Sequence, residues 1–398
     1  MKLSIKQIVF LNSHPIQYFA PLYQYLSEHG LPIEVWYCSD ESIRGAKDPG
    51  FQTQVKWDIP LLSGYSFRFL KNHSPLPGVS RGFWGLINLE VLHLLKTQPP
   101  SLIIVHGWNY FTNLLTLNLS KRYSHFVGLR GESPYNQEQN KSFFKKHVKQ
   151  MVLKYWLFQK IDFFFFIGQQ NKEFYKSLKV PERKLKFTPY CVDNHRFQKE
   201  TEKLIPRKFR LRKELGIPER AYVILYVGKL INKKRPMDLI RAFELSNITN
   251  KYLLMVGDGP LREKIERRLM EKKLVNVSIT GFINQSELPK YYSVADVLVL
   301  CSGIGETWGL VVNEAMNFGL PIIISDMPGS AYDLVEHGKN GYRFQTGDID
   351  QLAHYLEQSR SLDRTVVRKI NHALLKVFDY HTTFNTLHDL LAENSTII

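Results

Sequence analysis

Short, nearly unbroken apolar runs alternate along this chain with longer stretches of mixed apolar and polar positions. In the first half the runs are Ile8–Leu11, Ile33–Tyr37, Leu102–Val105, Phe126–Leu129 and Phe163–Ile167. In the second half they are Val223–Val227, Tyr252–Val256, Val277–Thr280, Val297–Leu300 and Pro321–Ser325. Continuous apolar runs of this length predict strands buried on both faces of a sheet. Helical stretches fall between them, for example Pro260 to Lys272. Strand and helix in alternation predict a parallel α/β architecture. The stretch Asp40 to Ser80 is rich in Gly, Pro and Ser, has no clear period, and is expected to be a long excursion with short strands.

The polar, basic segment Asn194 to Arg212 interrupts the alternation and is expected to be a linker. Each half is long enough for its own Rossmann-like sheet. The expected division is 1–200 and 201–380, with a helix at about 381–398 packing back on the first domain. In open α/β sheets ligands bind outside the carboxyl ends of the strands, so the site is expected in a cleft between two facing domains.

Composition narrows the classes. The chain is 44% hydrophobic and 23% charged, ordinary for a soluble globular protein. No run approaches the roughly 18 apolar residues of a membrane span. Met1–Phe10 is too short and too polar for a signal peptide and reads as a first strand. Cys38, Cys191 and Cys301 are too widely spaced for a metal pair or a disulfide framework, which points to a reducing, cytoplasmic setting.

The net charge of +16 favours an anionic partner. From Asn140 to Lys160 there is no acid, but Lys141, Lys145, Lys146, Lys149, Lys154 and Lys160 are interleaved with Phe143, Phe144, Val148, Met151, Tyr155 and Trp156. This basic amphipathic pattern fits a helix lying on the anionic inner face of the cell membrane. It fits better a surface helix whose apolar face packs on its own sheet. Zinc-finger spacing and aromatic RNP-type strands are absent, so no nucleic-acid partner is expected.

The chemistry gathers in the second half. Glu306 and Glu314 stand eight positions apart around Gly309, where a loop should turn into a helix. At the α-helical rise that separation is about 12 Å, enough for one carboxylate to reach a sugar and the other a ribose. A helix start between them would offer N–H groups to a diphosphate. Gly228 directly follows a strand and lets backbone approach a ligand, while Lys229 and Lys234 could neutralise phosphate or simply be solvated. Gly257-Asp-Gly-Pro260 reads as a strand-to-helix turn with Pro at a helix start, and Asp258 as a turn or cap residue rather than a catalyst. Gly281-Phe282 could line a base pocket or form a turn.

Taken in order, these pieces, with Ala295-Asp296, Glu306-x7-Glu314, Gly319-Leu-Pro and Gly338-Lys-Asn-Gly341, resemble the donor-binding half of family 4 glycosyltransferases. These are retaining enzymes of the two-Rossmann GT-B fold. The resemblance implies that Lys234 contacts the donor diphosphate, with Lys229 where Arg is usual, a point charge in place of a fork. It implies that Glu306 lies near the sugar hydroxyls, that Trp308, Gly309 and Leu310 present N–H groups to sugar and phosphate, and that Glu314 accepts from the ribose. In the first half His14 and Gln17 lie in a segment familiar from a bacterial subgroup and could reach donor or acceptor. His106 resembles the family's strand-end His near the donor sugar. Arg130 and Glu132 are acceptor-side candidates.

The implied reaction moves a sugar from a nucleotide diphosphate sugar to a hydroxyl of a glycan or lipid-linked acceptor, in polysaccharide or lipopolysaccharide assembly. Glu306, Lys234 and His106 carry it, with no cofactor and no metal. A non-catalytic nucleotide-sugar-binding subunit and a sugar-nucleotide epimerase are the alternatives. Asp348-Ile-Asp350 matches a metal motif of another fold but reads better as a helix cap, and the Asn247-Ile-Thr249 sequon carries no meaning without secretion.

Overall fold

The computed structural model describes residues 4–45, 47, 48, 50–140 and 142–395. Met1–Leu3 of the expected first strand, Lys141 of the basic run and residues 396–398 of the expected last helix lie outside the described residues.

The chain divides into two compact units, one of Met1–Ala46, Ile59–Tyr190 and Tyr380–Ile398, the other of Lys47–Asp58 and Cys191–Asp379. In the first unit the strands are β1 (Gln7–Asn12), β2 (Ile33–Tyr37), β5 (Ser66–Phe69), β6 (Ser101–His106), β7 (Phe126–Arg130), β8 (Phe163–Phe166) and β9 (Leu185–Phe187). They form one parallel sheet in the order β5-β2-β1-β6-β7-β8-β9. Its core joins strand residues such as Val9, Leu11, Ile103 and Leu129 to helix residues such as Leu94, Leu117 and Phe174. The helix Tyr380–Ser395 belongs to this unit. Thr386 Oγ1 donates to the Phe187 carbonyl at 2.7 Å, and Leu387 and Leu390 are buried.

The second unit holds β10 (Tyr222–Val227), β11 (Lys251–Val256), β12 (Val277–Ile279), β13 (Val297–Leu300), β14 (Ile322–Ser325) and β15 (Gly341–Phe344). These form a parallel sheet in the order β12-β11-β10-β13-β14-β15. A small antiparallel hairpin, β3 (Lys47–Asp48) and β4 (Thr53–Gln54), is part of this unit although it precedes most of the first in sequence. Each unit is thus a Rossmann-like parallel α/β layer structure.

The segment expected as a linker is instead helical. Asp193 caps the helix Asn194–Leu204 by accepting from the Arg196 N–H at 2.9 Å. Phe197 is buried against Tyr292 and Phe318, and Asn194 Nδ2 donates to the Leu375 and Phe378 carbonyls. Of the basic residues that suggested a linker, Lys199, Lys203 and Arg210 lie on the solvated faces of this helix and of the next, Lys208–Glu214, whereas Lys208 and Arg212 turn inward to Asp296. The chain passes between units at Tyr190 and Cys191 rather than near residue 200. All three cysteines are free and buried.

Candidate functional site

In the second unit the sheet grows outward in both directions from the β10/β13 pair. The strand order reverses at such neighbours, and in open α/β sheets a ligand crevice forms there, outside the carboxyl ends of the strands. The loops after β10 and β13 meet there. The Gly303 N–H donates to the Lys233 carbonyl at 2.8 Å, and Lys233 Nζ donates to the Gly305 carbonyl at 2.8 Å. The Lys234 ammonium pairs with the Glu306 carboxylate, and Ser302 Oγ donates to the same oxygen at 3.1 Å. Burial pushes the Glu306 carboxyl up, but Lys234, Lys233 and Ser302 outweigh it and hold it below the usual carboxylate range. Glu306 is therefore an anion at neutral pH.

Glycine turns stack beside this pair. Gly228 leaves β10 with φ 152° and Gly257 leaves β11 with φ 145°. A Cβ on Gly257 would stand 1.9 Å from the Gly228 carbonyl oxygen, so only glycine fits. Gly257 in turn bridges to Gly281 after β12. A Cβ on Gly228 would lie 3.9 Å from Lys234 Cε, which sets this half-buried backbone beside a cation. Asp258 has the turn role expected of it: it accepts from the Gly259 N–H at 2.8 Å and pairs with Arg262 at 3.0 Å.

Lys229 is held by a residue that the sequence does not point to. Its ammonium donates to both Asp48 carboxylate oxygens, at 2.8 and 2.7 Å, and lies 4.8 Å from the Phe51 ring centroid. Phe282 meets Phe51 edge-on at 4.9 Å and Trp57 at 6.0 Å. Asp48, Phe51 and Trp57 come from the aperiodic excursion.

The two glutamates differ. The helix begins only at Val311, with Leu310 as its cap and Gly309 at φ 91°, so the eight positions between the acids are not all helical and the 12 Å estimate does not apply. Glu314 lies fully buried within that helix and accepts from the Tyr292 hydroxyl at 2.5 Å. Trp308 is buried too, its indole N–H donating to Asn313 Oδ1 at 2.9 Å and its ring resting on Phe378. The backbone here is engaged as well: the Trp308 carbonyl accepts from Ser330 Oγ, the Gly309 carbonyl from the Val312 N–H at 3.0 Å and the Leu310 carbonyl from the Glu314 N–H at 3.1 Å.

In the first unit the sheet reverses between β1 and β6, and His106 ends β6. Its Nε2 is 3.4 Å from the Tyr23 hydroxyl, to which Asn12 donates at 2.6 Å. Arg130 ends β7, is 4% exposed, donates to Thr188, and is sandwiched near the Phe19 and Tyr190 rings. The Tyr190 hydroxyl donates to Glu132. Burial, then Arg130, drives His106 well below the ordinary imidazole range, so it is neutral at physiological pH. Burial raises Glu132 against the opposing pull of Tyr190 and Arg130. His106, Arg130 and Glu132 thus form one cluster. His14 hydrogen-bonds Ser13 Oγ at 2.9 Å and is lowered by burial to about 4, while Gln17 opens the turn before the helix Ala20–Glu28. Among the described residues, no hydrogen bond or ring contact ties either to the cluster.

Asp348 caps the helix Ile349–Gln358 by accepting from the Gln351 N–H at 2.9 Å. Among the described residues no group of three or more His, Cys, Asp or Glu is placed to hold a metal.

The basic run forms the helix Phe143–Val152 and the irregular turns after it. Leu153, Leu157 and Phe158 enter the core. Phe144, Val148, Met151 and Tyr155, at helical spacing, do not; Phe144 is 77% and Tyr155 69% exposed. Phe143, Val152 and Trp156 flank that stripe and are exposed as well. The stripe therefore faces solvent rather than its own sheet. Among the described residues no helix is long and apolar enough to cross a membrane.

Residues 207–371 match the family model for glycosyl transferases group 1. An uncharacterized glycosyltransferase of Methanocaldococcus jannaschii is 31% identical over 148 residues, 37% of each chain. The alpha-monoglucosyldiacylglycerol synthase of Acholeplasma laidlawii is 32% identical over 150 residues, 36% of this chain and 37% of that one. The chain thus spans only about a third of the length of the curated relatives it matches. Over nearly its full length it superposes on Anabaena Alr3699/HepE in complex with UDP, with a TM-score of 0.73 at 17% identity, covering 97% of this chain and 100% of that one. Residues 207–371 are thus similar to the group 1 glycosyl transferases, and the two Rossmann-like units have the fold seen in solved GT-B glycosyltransferases.

Proposed function

We propose that this protein is a retaining, family 4-type glycosyltransferase that moves a hexose from a nucleoside diphosphate sugar to a hydroxyl of a glycan or lipid-linked acceptor. The observation that carries the reading is the buried Lys234–Glu306 pair where the loops after β10 and β13 meet. A diphosphate leaving group needs its developing charge stabilised by groups already in position. Lys234 and Lys229 supply that charge, and the absence of a side chain at Gly228 permits close approach. Glu306, an anion, accepts hydrogen bonds from sugar hydroxyls. His106, held neutral, orients the sugar rather than taking a proton. The new C1–O bond forms on the face from which the C1–O bond to phosphate breaks, and the acceptor proton passes to the leaving phosphate oxygen. No protein nucleophile and no metal has a part in this scheme. The Anabaena neighbour solved with UDP-glucose supports a nucleotide-sugar donor.

The solvent-facing stripe Phe144, Val148, Met151 and Tyr155, with Lys145, Lys154 and Lys160 around it and no acid from 140 to 160, supports docking on an anionic bilayer. Lysine stems bury alongside apolar groups while their heads reach lipid phosphates. A lipid-linked acceptor at the cytoplasmic membrane face, in polysaccharide or lipopolysaccharide assembly, fits that surface.

A thermal-shift panel of UDP, GDP, ADP and their sugar conjugates tests the donor, since a ligand of the folded state raises apparent stability. A nucleotide-specific shift followed by transfer with retention supports the reading. Binding without transfer to any acceptor would favour a non-catalytic subunit, and no shift at millimolar ligand would sink the donor site.

A further inference from the structure

We infer that Asp48 is a built-in competitor for the donor diphosphate: the strap Lys47–Asp58 holds Lys229 in an ion pair that an incoming nucleotide must break. The inference rests on the donor-site reading above and adds an element to it.

Lys229 follows Gly228 at the carboxyl end of β10, on the loop that also carries Lys234. Its ammonium is spent on Asp48, with both carboxylate oxygens within 2.8 Å. The carboxylate is itself organised, accepting from the Gly50 N–H at 2.7 Å and the Phe51 N–H at 3.1 Å. Burial alone would raise its carboxyl, but Lys229 and these two N–H groups more than reverse that, so it is ionised at neutral pH. The fit is tight: a Cβ on Gly50 would meet Lys229 Cδ at 2.6 Å, and one on Gly259 would meet the Gly50 carbonyl at 2.7 Å.

The far end of the strap is fastened independently of Asp48. Asn284 Nδ2 donates to the Lys56 carbonyl at 2.7 Å, the Ser286 N–H donates to Asp58 at 3.2 Å, and Phe51 and Trp57 hold Phe282 edge-on. Loss of the Asp48 carboxylate therefore frees Lys229 while the strap stays anchored. An ammonium already neutralised by two carboxylate oxygens offers little field to a second anion. A diphosphate carries more charge and also engages Lys234, so it displaces Asp48, but at a cost in affinity equal to the pair's own strength. The Lys229 and Asp48 side chains are 32% and 28% exposed, so that strength is modest. Partly exposed pairs of this kind correspond to about 2- to 5-fold in an equilibrium constant.

The test is calorimetric titration of the full chain with UDP, GDP and ADP, using wild type, Asp48→Asn, Lys229→Ala and the double variant. Asn keeps an acceptor for the Gly50 and Phe51 N–H groups. Asp48→Asn is expected to bind the preferred nucleotide about 2- to 5-fold more tightly, and the gain should vanish when Lys229 is already Ala. Unchanged or weaker binding in a folded Asp48→Asn protein, with wild type binding normally, overturns the inference and leaves the donor site standing. If Asp48→Asn fails to fold, Asp48→Ser is read in its place by the same criterion. If no nucleotide binds either wild type or the Asp48 variant, the donor site falls and the inference falls with it.

Discussion

Lys234 and Glu306, 72 positions apart in sequence, form an ion pair with side chains only 16% and 11% exposed. Removing either partner strands the other charge in a largely dry setting. Fully buried pairs cost about 3–5 kcal/mol to break in this way, and with some exposure here the expected loss is about 1–3 kcal/mol. Lys234→Ala and Glu306→Gln should each lower sugar transfer at least about 100-fold while circular dichroism stays native. Turnover near the wild-type rate in either would remove the pair from the mechanism.

The pair also sets an acid limit. Glu306 has a folded pKa below its unfolded value, so its stabilising contribution is complete above about pH 4.5 and is lost as pH falls through the folded value. In a melting-temperature profile from pH 7 to pH 3, Glu306→Gln should fall less steeply than wild type below about pH 4.5.

Histidine produces a separate window. His14 titrates at about 4 when folded, against 6.5 unfolded, so the unfolded chain binds the extra proton first. Its contribution is full above pH 6.5 and declines down to about pH 4. His14→Gln should flatten the wild-type decline between those values, and an NMR titration of the His14 ring should show no midpoint near 6.5.

The helix Phe143–Val152 gives a prediction that leaves the fold untouched. Because Phe144, Met151 and Tyr155 are exposed, replacing all three with Ser should shift the melting temperature by less than a few degrees. Flotation with vesicles containing anionic lipid, at low salt, should be lost in that variant and retained in wild type. Equal flotation of both would exclude this face as the lipid contact.

Asp296, part of the motif set, performs a structural task. It accepts from Arg212 at 2.7 Å, Lys208 at 2.8 Å and the Val223 N–H at 2.8 Å, and Arg212 is 3% exposed. Asp296→Ala should cost about 3–5 kcal/mol in denaturant unfolding with nucleotide affinity unchanged in the protein that remains folded.

Much of this was legible in the sequence, because a strand buried on both faces has to be apolar throughout. The long strands of both sheets, the glycine turns after β10 and β11, and the capping role of Asp348 all follow from local chemistry. What escaped depends on distance along the chain. β5 is short and mostly exposed, so it carries no apolar signature. The Asp48–Lys229 pair spans 181 positions and leaves no periodic trace. The basic helix had two readings because an amphipathic stripe is the same whether it faces sheet or solvent. Tertiary packing decides between them: Leu153, Leu157 and Phe158 satisfy the core, and Lys149 turns inward to Glu138 at 2.8 Å.

The helix Tyr380–Ser395 has a consequence for how the protein is made. Its Thr386 closes onto Phe187, and its Leu387 and Leu390 complete the apolar interior of the first unit. During translation that unit begins first and is finished last, after every strand of the second unit has emerged. Until then the surface that receives the helix is bare, and bare apolar surface on a nascent chain invites aggregation and chaperone binding.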